Sequence, residues 1–285
     1  MIPLWEGNIL KTKKDIIAFI AVLMLSIPMA FATEIVDISD ITDLDGPPDL
    51  YHPILQIPNP DVDSPNWSSG ALSVHQSTHQ FIVDKAIAIL NKDFSGLPLN
   101  NYTATLRAGA DWPDQEERDG ITFKGHFYDP DTGANWLNET SPTAKTRLIY
   151  WYNQAVSKYK AGETTTGMSY LGRALHYAAD LSTPHHAANK TAVNSYHKEY
   201  EQWAQEHQTS YVATSASSST YTWAKNTSVG DMGHNFAVNA KSLINDANSM
   251  SESRYATATA TALPKAQRNC VGIMYKFCVT VGLIK

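Results

Sequence analysis

The chain has 285 residues, 43% apolar and 18% charged, which suits one sizeable globular domain and excludes disordered, collagen-like and coiled-coil classes. The formal net charge of -6 is uneven: residues 1–66 carry -7 and residues 67–285 carry +1, with no basic run. A near-neutral body gives no electrostatic footing for nucleic acid, and none is expected as a partner.

At the start, Lys11, Lys13 and Lys14 precede the apolar run Ile16–Pro28, and Ala30-Phe31-Ala32 puts small residues at the -3 and -1 positions of a signal-peptidase site. This is the pattern of a secretory signal peptide over residues 1–32. The run is short of the roughly 20 residues that a membrane span needs. A secreted, extracellular protein is expected. Residues 33–66 then hold eight acids, no Lys or Arg, and six prolines. That composition suits a flexible linker or an acidic propeptide, and composition alone does not separate them.

From Trp67 onward the apolar periodicity is helical. Ile82, Val83, Ala86, Ile87 and Leu90 share one helix face, and similar patterns cover about 143–160, 166–181, 194–208, 234–249 and 253–283. Loops are expected over 111–141, 181–193 and the Ser/Thr-rich stretch 209–228. The expected architecture is all-α, a single helical domain over 67–285. Cys270 and Cys278 fall eight apart in one helical stretch, about 12 Å. A disulfide needs less than about 7 Å, so both read as buried free thiols.

Histidines and acids form a metal-ligand vocabulary. His176 and Asp180 stand four apart on one helix face, as do His197 and Glu201. His186 follows beyond Pro184, His126 lies in Gly-His126-Phe-Tyr-Asp-Pro-Asp, Asp111 in Ala-Asp111-Trp, and His79 opens the first helical face. Imidazole and carboxylate without thiolate suit catalytic zinc. So many ligands exceed one tetrahedral ion and imply a cluster of two or three, an arrangement suited to phosphoryl displacement.

Together these windows resemble the bacterial zinc-dependent phospholipases C. The match runs through Trp67, Thr-His79-x-x-Ile-Val, Ala-Asp111-Trp, Gly-His126-Phe-Tyr-Asp-Pro-Asp-Thr-Gly, Tyr-Leu-Gly-x-x-Leu-His176-Tyr-x-x-Asp180, Pro-x-His186-Ala-Ala-Asn and Tyr-His197-Lys-x-Tyr-Glu201. The resemblance implies a helical domain around three zinc ions. Asp111, His126 and His176 would bind one ion, with Asp180 bridging to a second. His79 and the free amine and carbonyl of Trp67 would complete the second, and His186, His197 and Glu201 would hold the third. The segment 33–66 would then be a propeptide whose removal frees the Trp67 amine, with a reference pKa near 7.7–8.0.

The implied chemistry is hydrolysis of the glycerol–phosphate bond of phospholipids at a membrane or micelle surface, giving diacylglycerol and a phosphorylated head group. Asp111 would act as general base as well as ligand. Phe123 and Trp112 would face the head group, as the aromatic rings of choline-preferring relatives do. Gly70 stands where those relatives carry a Glu, which points to a broader head-group range. A monomer is the default expectation. The 84 residues after Glu201 read as helices rather than the lipid-binding β-sandwich of the alpha-toxin type, so weak action on intact cell membranes is expected. The rival readings are a zinc-dependent single-strand nuclease of the same superfamily and a catalytically silent zinc-binding protein. Among the other polar residues, His75 is a rival to His79, His185 adjoins His186 outside the matching frame, and His207 and His234 read as surface or packing residues. Asp129 and Asp131 around Pro130 read as turn-forming.

Overall fold

Ser77 starts the first helix, α1 (Thr78–Asp93), by accepting the backbone N–H of Gln80 on its hydroxyl at 3.2 Å. The computed structural model describes residues 76–116 and 122–285, all within one compact unit, Ile54–Lys285. The expectations for residues 1–32 and 33–66, and for Trp67, Gly70 and His75, lie outside the described residues. The face of α1 predicted from periodicity is buried: Ile82, Val83, Ala86, Ile87 and Leu90 all enter the main core. They pack against the 29-residue helix α10 (Glu252–Thr280), which carries the two buried, free cysteines.

Three helices pack together to support the site. α2 (Thr103–Glu116) was not visible in the periodicity, and its last turn occupies the start of the expected 111–141 loop. Its first residues alternate Thr with small or polar neighbours and offer Leu106 as the one large apolar anchor, and Pro113 reads as a breaker. Pro113 nevertheless sits inside the helix, where it removes one backbone donor close to the C-terminal end. α3 (Ala144–Lys160) and α4 (Thr164–Asp180) match their expected spans closely. Gly162, at φ 85°, turns the chain between them in the left-handed region that favours glycine. α4 is central: 11 of its 17 residues are buried, so His176 and Asp180 must find partners in protein rather than water.

α2 and α4 approach so closely because each presents a glycine at the crossing. A Cβ on Gly109 would collide with the Ser169 carbonyl, and one on Gly172 with the Leu106 carbonyl. This contact brings the end of α2 against the face of α4 that carries His176. Alanine is favoured over glycine within a helix by about 1 kcal/mol. At Gly172 the steric term is expected to win, with a net loss of about 1–3 kcal/mol. A urea midpoint for Gly172→Ala equal to or above wild type would contradict the close crossing.

The remaining α-helices among the described residues are α5 (Pro184–Ala187), α6 (His197–His207), α7 (Ser218–Asn226), α8 (Val229–Lys241) and α9 (Ile244–Ala247). Two expectations need correction. The helix expected over 234–249 breaks at Ser242-Leu243, where the Ser242 hydroxyl donates to the Asn239 carbonyl and the chain turns into α9. The expected loop 209–228 contains α7, capped by Ser217 and anchored by the buried Ala224 in a sequence with few large apolar residues. Among the described residues the extended structure is an isolated bridge, Asp129 to Ala134. No described helix is long and apolar enough to cross a membrane.

Candidate metal centre

Four ligand atoms converge where α2, α4 and the 124–128 turn meet. His126 Nδ1 lies 3.0 Å from His176 Nε2 and 3.0 Å from Asp180 Oδ2. His176 Nε2 is 3.2 Å from Asp180 Oδ2. Asp114 Oδ1 stands 3.5 Å from both imidazole nitrogens. All four side chains are almost wholly buried.

Asp180 also faces a second group. Its Oδ1 is 3.7 Å from His79 Nε2, and His79 stacks on His176 with ring centroids 4.0 Å apart. The two oxygens of one carboxylate thus serve two sets of nitrogens. The third group lies on α5 and α6. Glu201 Oε1 is 3.2 Å from His186 Nε2 and 2.8 Å from His197 Nε2. The i, i+4 spacing of α6 places His197 and Glu201 together, and Phe127 stacks on the His186 ring at 4.7 Å.

Backbone carbonyls set the tautomers. His176 Nδ1 donates to the Ala110 carbonyl at 2.7 Å, and His186 Nδ1 donates to the His126 carbonyl at 2.7 Å. In each neutral ring the Nε2 lone pair is then left bare, facing carboxylate oxygen. Lone pair against lone pair is repulsive, and a cation between them, a proton or a metal ion, relieves that repulsion. Four ligands at the usual zinc distances of about 2.0–2.1 Å around a tetrahedral ion lie about 3.3 Å from one another, close to the 3.0–3.5 Å separations seen here. The residues therefore fit zinc in both spacing and donor type.

Electrostatics say the same of the metal-free protein. Burial alone would lower the His176 and His186 pKa values. For His176 the Asp180 and Asp114 carboxylates overcome that, and for His186 Asp180 and Glu201 do; both pKa values are pushed up to about 9. Burial and the neighbouring His176 hold His79 well below 6.5. Against burial, the surrounding histidines hold Asp180 and Glu201 well below the usual carboxylate range. His176 and His186 are raised in the fold, so their contribution to metal-free stability is complete below about pH 6.5 and is lost as pH rises through about 9. At pH 7.5, zinc loading is expected to displace about two protons per chain. Calorimetric titration in buffers of different ionisation enthalpy would measure that number, and a value near zero would contradict the protonated pair.

The structure brings together His79, His126, His176, Asp180, His186, His197 and Glu201, all anticipated from their spacing or motifs. It corrects Asp111. The acid beside His126 and His176 is Asp114, whereas the Asp111 carboxylate accepts from Ser77 Oγ at 2.9 Å and from the Gln80 side-chain amide. The two acids are three apart on one face of α2, and with 111–141 expected as a loop their shared face was hidden. The helical spacing Asp111–Asp114 was the available signal. Trp112 is corrected too. Its ring is taken up by the Arg173 guanidinium at 3.5 Å and packs edge-on against Trp151, so it belongs to the core edge rather than to a head-group pocket. Phe123 does border the centre, its ring edge-on to His126 at 5.7 Å from a left-handed backbone at φ 49°. His185 is buried and stacks in parallel on His197. His234 is hydrogen-bonded to Tyr128 and His207 stacks on Trp203 at the surface. Asp129 and Asp131 form a turn gripped by Lys241.

A buried imidazole–carboxylate cluster on an all-α scaffold defines a class of metal-dependent proteins. The comparisons give the family. Residues 78–250 match the family model described as zinc dependent phospholipase C, and the chain belongs to that family. A phospholipase C of Paraclostridium bifermentans is 31% identical over 162 residues, covering 50% of this chain and 41% of its own length. One of Clostridium perfringens is 27% identical over 235 residues, covering 70% and 58%, and one of Bacillus cereus is 31% identical over 191 residues, covering 62% and 66%. In three dimensions the chain is similar to the alpha-toxin of Clostridium absonum (TM-score 0.64, 26% identity, 70% of this chain and 62% of that one). It is also similar to the alpha-toxin of an avian Clostridium perfringens strain (TM-score 0.67, 27% identity, 77% and 67%). The chain spans about 40–60% of the length of the clostridial phospholipases C just described.

Proposed function

We propose that this chain is a secreted phospholipase C, a zinc-dependent phosphodiester hydrolase that cleaves the glycerol–phosphate bond of phospholipids and is matured by trimming to Trp67. The observation that carries the reading is the sharing of Asp180 between two ligand groups beside a third, in a chain of this family. Asp114, His126 and His176 would hold one zinc ion, His79 and Asp180 a second, and His186, His197 and Glu201 a third. Bound zinc supplies Lewis acidity toward phosphate oxygens and lowers the pKa of water.

The protein's own residues do the rest. The Ala110 and His126 carbonyls fix two imidazoles with Nε2 toward the centre. Asp180 holds two groups in register with its two oxygens. Asp114 takes the role first assigned to Asp111: its carboxylate, 3.5 Å from the His126 and His176 nitrogens, would accept a proton from the attacking water as well as serve as a ligand. The Phe123 ring beside His126 shields one side of the centre and supports an apolar or cationic head-group contact. The products would be diacylglycerol and a phosphorylated head group. Neither the site nor the comparisons favour the nuclease alternative.

The test is product identification on dispersed short-chain phosphatidylcholine, with and without a zinc chelator. Chelator-sensitive release of phosphocholine and diacylglycerol is the expected result. Release of choline or of fatty acid instead, or turnover unaffected by the chelator, would overturn the reading.

A further inference from the structure

The displaced acid has its own task. Asp111 is buried, 6% exposed, yet its carboxylate lies outside the ligand groups. It accepts from the Ser77 hydroxyl and from the Gln80 side-chain amide. Ser77 is the N-cap of α1, and its oxygen also accepts the Gln80 backbone N–H. His79 sits between these two residues, in the first turn of α1. One carboxylate on α2 therefore grips the helix on both sides of a histidine that faces Asp180 and Asp114. Asp111 and Asp114 are three apart, so α2 presents two carboxylates on one face. One anchors the start of α1, and the other enters the cluster. A negative group at a helix N-terminus is also favoured by the helix dipole, which offsets the cost of burying this charge.

We propose that Asp111 is a positioning residue for His79: through Ser77 and Gln80 it fixes the first turn of α1 so that the His79 imidazole meets the cluster. This rests on the zinc reading of the centre. The same two helices carry a second clasp, in which Arg107 on α2 donates to Asp84 on α1 at 2.7 Å and Gln76 donates to the same carboxylate at 2.6 Å. That clasp lies a turn further along α1 and is half-exposed. Its Arg107 arm provides the control, because it ties α2 to α1 at Asp84, beyond the Ser77–Gln80 turn that Asp111 holds.

The experiment measures zinc affinity by competition with a chromophoric chelator, and thermal midpoint, for the whole protein and four variants. Asp111→Asn replaces one acceptor oxygen by a donor amide, so either Ser77 or Gln80 meets an N–H. Its weakest zinc site is expected to lose about tenfold in affinity, the scale of a lost outer-shell partner. Gln80→Met keeps the charge and removes one bond, with an expected loss of about fivefold. Arg107→Ala is expected to lower the thermal midpoint while leaving zinc affinity within twofold. Weakened zinc binding in Asp111→Asn and Gln80→Met alone would support positioning. Unchanged affinity in both, or an equal loss in Arg107→Ala, would overturn it and leave a helix clasp of structural value only. His79→Ala separates the two levels. If it keeps every zinc ion at full affinity, the zinc reading of that site fails, whatever Asp111 does.

Discussion

Asp180→Asn is expected to lower phospholipid hydrolysis by well over a hundredfold and to weaken zinc binding in two ligand groups at once. Loss of an outer-shell partner alone costs about 10–100-fold in metal affinity or activity. Asp180 is closer than that: Oδ2 faces His126 and His176 at 3.0 and 3.2 Å, while Oδ1 faces His79 at 3.7 Å. An amide keeps one oxygen and no charge, so it cannot serve both sets. The metal-free protein should suffer as well. Removing the carboxylate leaves the buried, protonated His176 short of its main counter-charge, a change of roughly 3–5 kcal/mol. Steady-state rates and elemental zinc analysis would measure the first effect, and urea unfolding of chelator-stripped protein the second. A variant with near-normal turnover would exclude Asp180 as the shared ligand.

The second large effect separates Asp114 from Asp111. Asp114→Asn is expected to lose a hundredfold or more in rate even at saturating zinc, because Asp114 stands 3.5 Å from both imidazole nitrogens of its group. Asp111→Asn should recover to within about tenfold of wild type when zinc is in excess, because Asp111 acts through Ser77 and Gln80. Rates measured across a zinc titration distinguish a shifted curve from a lowered plateau. The opposite pattern, with Asp111→Asn inactive at every zinc concentration and Asp114→Asn rescued, would restore Asp111 as the ligand.

That pair also marks the limit of what the sequence made legible. The periodicity of α1, α3, α4 and α10 comes from large apolar residues at helical intervals, which places these helices, and for α1 the named face is the buried one. His176–Asp180 and His197–Glu201 were visible because four residues make about one helical turn. His186 was selected over His185 by its Pro-x-His-Ala-Ala frame, and the structure gives His186 the contact with Glu201 while His185 stacks on His197. α2 was invisible for a physical reason. It docks through Gly109 against Gly172, so the burial is backbone on backbone and leaves little apolar signature. With the helix missed, Asp111 and Asp114 could not be sorted by face. Trp112 went astray in the same stretch, since a ring held by Arg173 and a ring at a head-group site look alike in one dimension. α7 hid in a Ser/Thr-rich stretch because its fixed point is one small residue, Ala224.

The most direct measurement is an anomalous difference map at the zinc edge from crystals of the zinc-loaded protein. The account predicts peaks within about 2.0–2.2 Å of ligand atoms in the Asp114–His126–His176–Asp180, His79–Asp180 and His186–His197–Glu201 groups, with the Asp111 carboxylate still on Ser77 and Gln80. A zinc peak on Asp111, or an occupied centre in which Asp180 touches no ion, would contradict it.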